Sequence, residues 1–193
     1  METSVSLLDR LAAQPNEADW QRLFALYSPL LLQWLVRAGV PASDADDLAQ
    51  EVMLVVFREV KDFERHGLGA FRAWLRTILA NRTRDYFRSR QHRATATGDS
   101  GFRERLAELE SPDSALSQLW DREHDQHVAR QLLKTVEGDF TPPTWRAFWR
   151  QVIEGVPAAQ VAHELALSLN AVLLAKSRVL RRMRQELHGF VGC

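Results

Sequence analysis

Apolar side chains recur along this chain at steps of three and four, and strand-like alternation is absent. Residues 17–36 read as a helix carrying Trp20, Leu23, Phe24, Tyr27, Leu30, Leu31 and Trp34. Pro29 inside it predicts a kink or a split. Gly39-Val40-Pro41 ends it. Residues 43–60 form the next helix, with Ser43 as the expected N-cap and Asp44, Asp46 and Asp47 in the first turn, where the helix dipole favours anions. Leu48, Val52, Val55 and Val56 make one stripe, and Met53, Leu54, Phe57 and Val60 cover most of the remaining circumference. A helix apolar nearly all round is covered on every side, either by neighbouring helices or by a partner protein. Residues 61–70 are a loop, and 71–90 a long helix. Polar residues 93–114 read as a linker, with a short helical turn at 102–109. Four further helices follow at 115–136, 143–154, 157–165 and 168–187. The expected fold is all-α: two small helical domains, 17–93 and 115–188, joined by an acidic linker at 94–114.

Composition narrows the function. The chain has 193 residues and a single cysteine, Cys193, so a disulfide framework and a Cys-based zinc site are excluded. No apolar run reaches membrane-spanning length, and the first ten residues lack the apolar core of a signal peptide, which predicts a cytoplasmic protein with no membrane contact. Net charge is zero, but its distribution is not even. Residues 1–60 carry −5, 61–93 carry +6, 94–140 carry −5 and 141–193 carry +4. Such alternation fits either pairing within the chain or two separate contacts to a polyanion.

The stretch GVPAAQVAHELALSLNAV (155–172) has helix-turn-helix spacing. Val161, Ala162 and Leu165 give the inner face of the first helix, and Ala162 is small where two helices cross. Leu167 plugs the turn, Val172 opens the core face of the second helix, and Ser168 is placed to cap it. On the second helix Val172, Val179, Met183 and Leu187 share one face. Asn170, Leu174, Ser177, Arg178, Arg181 and Arg184 fall opposite. An apolar face with a basic face behind it suits a helix lying in the major groove.

The helix at 71–90 is divided too. Phe71, Trp74, Leu75, Ile78, Leu79 and Tyr86 occupy one broad face. Arg72, Arg76, Asn81, Thr83, Arg84, Phe87 and Arg88 spread around the other. Rings among cations suit single-stranded nucleic acid, because cations track phosphates while rings stack on unpaired bases.

The runs DADDLAQEVMLVVF (44–57) and FRAWLRTILANRTRDYFR (71–88) resemble region 2 of the sigma-70 family of bacterial RNA polymerase sigma factors. The helix-turn-helix resembles region 4 of that family. With only these two regions, the chain is similar to the small extracytoplasmic-function (ECF) group. TWRAFW (144–149) and AKSRVLR (175–181) resemble variants common in planctomycete-type genomes. The resemblance implies a non-catalytic promoter-specificity subunit with no cofactor. Its implied partners are core RNA polymerase, promoter DNA as duplex and as melted single strand, and an anti-sigma factor. By the same resemblance Asp47, Leu48, Gln50, Glu51 and Phe57 bind core polymerase. Asn81, Arg84 and Arg88 take the melted strand, and Phe63 and His66 are candidates for a pocket holding a flipped base. Ser168, Asn170, Leu174, Ser177, Arg178 and Arg181 fall to region 4 and the upstream duplex element. The acidic linker would run near the RNA exit path.

Two departures stand out. Ala166 occupies a turn position where the family often has glycine. Leu173-Leu174-Ala175 stands where it often has Lys-Ser-Arg, so either Leu174 meets a thymine methyl or region 4 binds in another way. The alternative function is a stand-alone helix-turn-helix regulator, which leaves the 44–88 motif without a role. An enzyme reading finds little to rest on. His163-Glu164 hints at a metalloprotease helix, but the second His it requires would fall at Leu167. His124 and His127, near Asp121, Glu123 and Asp125, admit a metal site but fit an exposed polar helix better.

Overall fold

The computed structural model describes residues 7–14, 16–64, 69–91, 107–109 and 111–190, without the side chains of 91 and 187–190. His66 and most of the linker lie outside the described residues. All regular elements within them are helical: α1 (Leu7–Ala13), α2 (Glu17–Arg37), α3 (Ala42–Glu59), α4 (Ala70–Gln91), α5 (Ala115–Glu137), α6 (Pro142–Phe148), α7 (Ala158–Glu164) and α8 (Leu169–Phe190). A 3-10 turn, Val60–Asp62, extends α3, and a π-helical turn, Trp149–Ile153, extends α6. The chain divides into two compact units, Leu7–Val128 and residues 129–192. Helix α5 therefore contributes its first half to one unit and its second half to the other.

The first unit contains a helix that periodicity did not announce. Leu7, Leu8 and Leu11 of α1 are buried. Arg10 fastens α1 to α2 through two hydrogen bonds to the Asp19 carboxylate, each 2.9 Å. Asn16 caps α2 by accepting the Asp19 backbone N–H at 2.8 Å and also donates its amide to the Asp19 carboxylate. The Arg10 hydrogen bonds hold the Asp19 pKa down at about 2.

Helix α2 runs unbroken through Pro29, so the helix is not split there. Ala25 and Pro29 both face solvent, so the carbonyl that loses its helical partner can turn to water. Gly39, at φ +90°, ends the helix in the left-handed conformation. Helix α3 starts one residue earlier than expected. Pro41 precedes its first turn, and Ser43 does not cap it: its hydroxyl donates to Asp44 Oδ1 at 2.7 Å instead.

The first half of α5 belongs to this unit. Trp120 is fully buried, meets Trp34 edge-on at 5.2 Å and donates its indole N–H to the Arg72 carbonyl at 3.1 Å. Ser117, His124 and Val128 are buried beside it.

In the second unit one cluster joins Ala147 of α6, Val161 and Ala162 of α7, and Val172 and Ala175 of α8, with Leu165 and Leu167 packed against it. A second joins Val136, Phe148 and Val179. The expected inner face of the helix-turn-helix is thus its core. Ala166 takes φ +52° in the turn, the left-handed conformation a glycine adopts most easily.

Candidate nucleic-acid interface

Helix α3 is divided between core and solvent. Leu48, Val52, Met53, Val56 and Val60 are buried, whereas Asp47, Gln50, Glu51 and Phe57 face outward. Neighbouring helices leave two apolar positions of α3 uncovered: Leu54 is 47 % exposed and Phe57 43 %. Phe57 leans edge-on against Trp20 at 4.9 Å, which leaves its other face open. Two apolar side chains ringed by carboxylates and an amide make a surface suited to a protein partner with an apolar centre and a polar rim. Leu48 belongs to the core and holds this face in place from behind rather than touching a partner.

Helix α4 separates its arginines. Thr77, Asn81 and Arg88 are exposed and Arg84 half-exposed along one stripe, spaced three and four residues apart. Within it Arg84 donates to Asn81 Oδ1 at 2.9 Å and Arg88 to Asp85 at 2.9 Å. Arg72 and Arg76 point the other way, toward α5. Arg72 meets Asp125 at 2.8 Å and Asp121 at 3.4 Å, and buried Arg76 meets Asp121 at 3.3 Å. Pairing within the chain, one of the two readings of the alternating charge, accounts for Arg72 and Arg76. The acidic block neutralises these two, whereas Arg84 and Arg88 meet Asn81 and Asp85 of α4 itself. Phe63 is half-buried and stacks on Trp74 at 4.7 Å, with Phe71 edge-on at 5.9 Å. At the far end of α4, Tyr86 donates to Asp44 Oδ2 at 2.5 Å and Arg90 approaches the same carboxylate at 3.2 Å, tying α4 to the start of α3. The Tyr86 hydrogen bond lowers the Asp44 pKa.

The expectation of an exposed polar helix at His124 and His127 is overturned. His124 is buried between Tyr27, whose hydroxyl lies 3.3 Å from its Nε2, and Asp125, 3.1 Å from its Nδ1. An imidazole donating to Asp125 and accepting from Tyr27 is neutral, and burial lowers its pKa in the same sense. His127 donates Nε2–H to the Leu26 carbonyl at 2.6 Å. Among the described residues no group of three His, Cys, Asp or Glu is arranged to hold a metal.

In α8, Ser168 caps the helix by accepting the Ala171 N–H at 3.1 Å. Asn170, Leu174, Ser177, Arg178 and Arg181 all face solvent, opposite the buried Val172, Ala175 and Val179. Ala175 is a core residue, so the departure from Lys-Ser-Arg reaches the surface only at Leu173 and Leu174. Arg182 is the arginine spent on structure: it meets Asp139 at 2.7 Å and Glu186 at 2.6 Å. Glu164 accepts from Arg150 at 2.6 Å, which lowers its pKa and joins α7 to the end of α6. An open groove of about 810 Å³, with Phe140, Trp145, Arg146 and Trp149 in its lining, lies on this unit. The i,i+4 spacing of the two tryptophans was its one sign in the sequence.

The described surface thus carries two outward stripes, one on a helix flanked by aromatic rings and one on the second helix of a helix-turn-helix. Comparison with known proteins supplies relatives. Sigma-70 region 2 matches residues 23–93. The ECF RNA polymerase sigma factor SigE of Mycolicibacterium smegmatis is 26 % identical over 191 residues, 98 % of this chain and 68 % of SigE. The RNA polymerase sigma factor CnrH of Cupriavidus metallidurans is 27 % identical over 175 residues, 89 % of this chain and 87 % of CnrH. NccH of Alcaligenes xylosoxydans, also named an RNA polymerase sigma factor, is 36 % identical over 86 residues, 45 % of each chain. A solved structure of CnrH with the cytosolic domain of CnrY aligns over 94 % of both chains at 22 % identity, with a TM-score of 0.38. Residues 23–93 thus match sigma-70 region 2, and along most of its length the chain is similar to RNA polymerase sigma factors, one of them named an ECF sigma factor.

Proposed function

We propose that the chain binds core RNA polymerase in the cytoplasm, directs it to promoters and helps open them, without catalytic chemistry of its own. Helix α3 is the polymerase contact, through Asp47, Gln50, Glu51, Leu54 and Phe57. Helix α4 takes the melted strand: Asn81, Arg84 and Arg88 face it, and the Phe63–Trp74 stack stands ready to cover an unpaired base, work worth about 1–3 kcal/mol per stacked base. Helix α8 reads the upstream element as duplex, through Asn170, Leu174, Ser177, Arg178 and Arg181 on a Ser168-capped start.

The observation that carries this reading is the split of the α4 arginines. Arg72 and Arg76 turn to Asp121 and Asp125 of α5, whereas Arg84 and Arg88 lie on the outward stripe with Asn81, Arg88 beside Asp85 of the same helix. An anti-sigma protein is a further partner of this reading. CnrH, similar along most of this chain, has been solved with the cytosolic domain of CnrY.

The test is reconstitution with purified core polymerase. Wild-type protein is expected to form a stable complex and to give discrete run-off transcripts from genomic fragments. The pair Gln50→Ala with Phe57→Ala is expected to weaken the complex at least tenfold while the protein stays folded. Initiation at random starts by a folded wild-type chain would sink the reading. Tight operator binding without polymerase would point instead to a stand-alone regulator.

A further inference from the structure

We infer that α8 reads thymines by their 5-methyl groups, with Leu173 and Leu174 as the reading side chains. This deepens the proposed function and rests on residues 129–190 being the duplex-binding half. The second helix of a helix-turn-helix places the residues of its first turns against base edges in the major groove. On α8 the inward direction is fixed by Val172, Ala175 and Val179, all buried. At ~100° per residue the opposite sector runs through Asn170, Leu173, Leu174, Ser177, Arg181 and Arg184. Leu173 is 47 % exposed and Leu174 43 %. Two of the six side chains on this sector, both in its first turns, therefore carry neither donor nor acceptor.

The charge around them selects the occupant. Lys176, Arg178, Arg181 and Arg184 are exposed on the same helix, and among the described residues none of them pairs with a carboxylate. A second copy of the chain docked on this face would bring these cations against their like. A polyanion with small apolar groups between its charges fits both properties. In the major groove that group is the thymine methyl, which no other base carries. Asn170 lies between the two leucines on the outward sector, and its amide is the side-chain type that pairs with the adenine N6 and N7 edge. The upstream element read by this chain is accordingly built on A·T pairs, recognised by shape and methyls more than by hydrogen bonds to guanine.

The test uses holoenzyme reconstituted from the full chain and core polymerase. A preferred upstream element is first selected from a random duplex pool. Its thymines are then replaced by deoxyuridine, which keeps the hydrogen-bonding edge and removes the methyl. Wild-type holoenzyme is expected to lose about fourfold in affinity per contacted methyl, which corresponds to about 0.8 kcal/mol at 1.4 kcal/mol per tenfold. The variant Leu173→Ser with Leu174→Ser, both changes at solvent-facing positions, is expected to bind thymine and uracil duplexes alike and to bind polymerase as wild type does. Equal binding of both duplexes by wild type, with the selected element still preferred over a scrambled one, overturns the inference and leaves the proposed function standing. No preference for any duplex overturns both. Self-association of the wild-type chain, abolished by the double substitution, assigns the leucines to a second copy and overturns the inference alone.

Discussion

Tyr27 and His124, 97 positions apart in the chain, share a hydrogen bond in the interior of the first unit, with their rings stacked at 5.7 Å. Burial raises the tyrosine pKa and lowers that of the histidine, so both groups are neutral across the physiological range. The bond joins α2 to the first half of α5, and Trp34–Trp120 and Arg37–Glu123 join the same two helices farther toward the C-terminal end of α2.

This pairing gives stability a pH dependence with a definite sign. The folded-state pKa of His124 lies below its ordinary value of 6.5, so the unfolded chain takes up the proton first. Stability is complete above pH 6.5 and falls as pH drops below it. Asp19 acts in a separate window, losing its contribution as pH falls from 3.8 toward about 2. Chemical denaturation from pH 8 to pH 5 is expected to show a decline that His124→Gln largely removes. An unchanged decline in that variant would place the titrating group elsewhere.

The two arginine faces of α4 are expected to separate in a salt titration. Arg88→Ala weakens holoenzyme binding to forked promoter DNA and reduces the slope of log K against log salt by about 0.7, the value for one single-strand phosphate contact. Arg76→Ala leaves that slope unchanged. It lowers stability by about 1–3 kcal/mol, because a buried charge-assisted bond to Asp121 is lost.

Leu48 and Phe57 make the corresponding contrast on α3. Leu48→Ala empties core volume and is expected to cost about 2–5 kcal/mol in urea unfolding, with polymerase affinity of the folded fraction intact. Phe57→Ala is expected to shift the melting temperature little and to reduce polymerase affinity about tenfold, read by titration of labelled protein into core enzyme.

Ala166 holds a left-handed conformation that costs an L-residue about 1–2 kcal/mol. Replacing it with glycine is expected to raise the stability of the second unit by about 1 kcal/mol, seen as a melting temperature about 4–8 °C higher. A fall in melting temperature would mean that the unfolded chain's gain in freedom outweighs the relief of strain.

Local rules made much of this legible. The helices, the capping of α8 by Ser168 and the inward set Val161, Ala162, Leu165, Leu167 and Val172 follow from period and turn chemistry, which act over a few residues. The misses involve long-range partners. Leu7, Leu8 and Leu11 form too short a run to register as a helix until α2 and the 60–62 turn cover them. Nothing local says that Arg72 and Arg76 meet Asp121 while Arg84 does not, or that Leu48 and Phe57 on one apolar helix part company. In α5, Trp120, His124, Val128, Leu132 and Val136 make one uninterrupted i,i+4 stripe. Its period carries no mark where the helix passes from one unit to the other.

That unmarked passage sets where this chain can be recombined. A hybrid joined within residues 94–114 would import a relative's counterpart of Trp120 and His124 against the native Tyr27, Trp34 and Arg72, and one lock would receive another's key. A junction after Val128 keeps those partners together and exchanges the helix-turn-helix half alone. Modular transplantation of specificity should therefore succeed with the seam inside a helix and fail with it in the linker, where a splice looks safest.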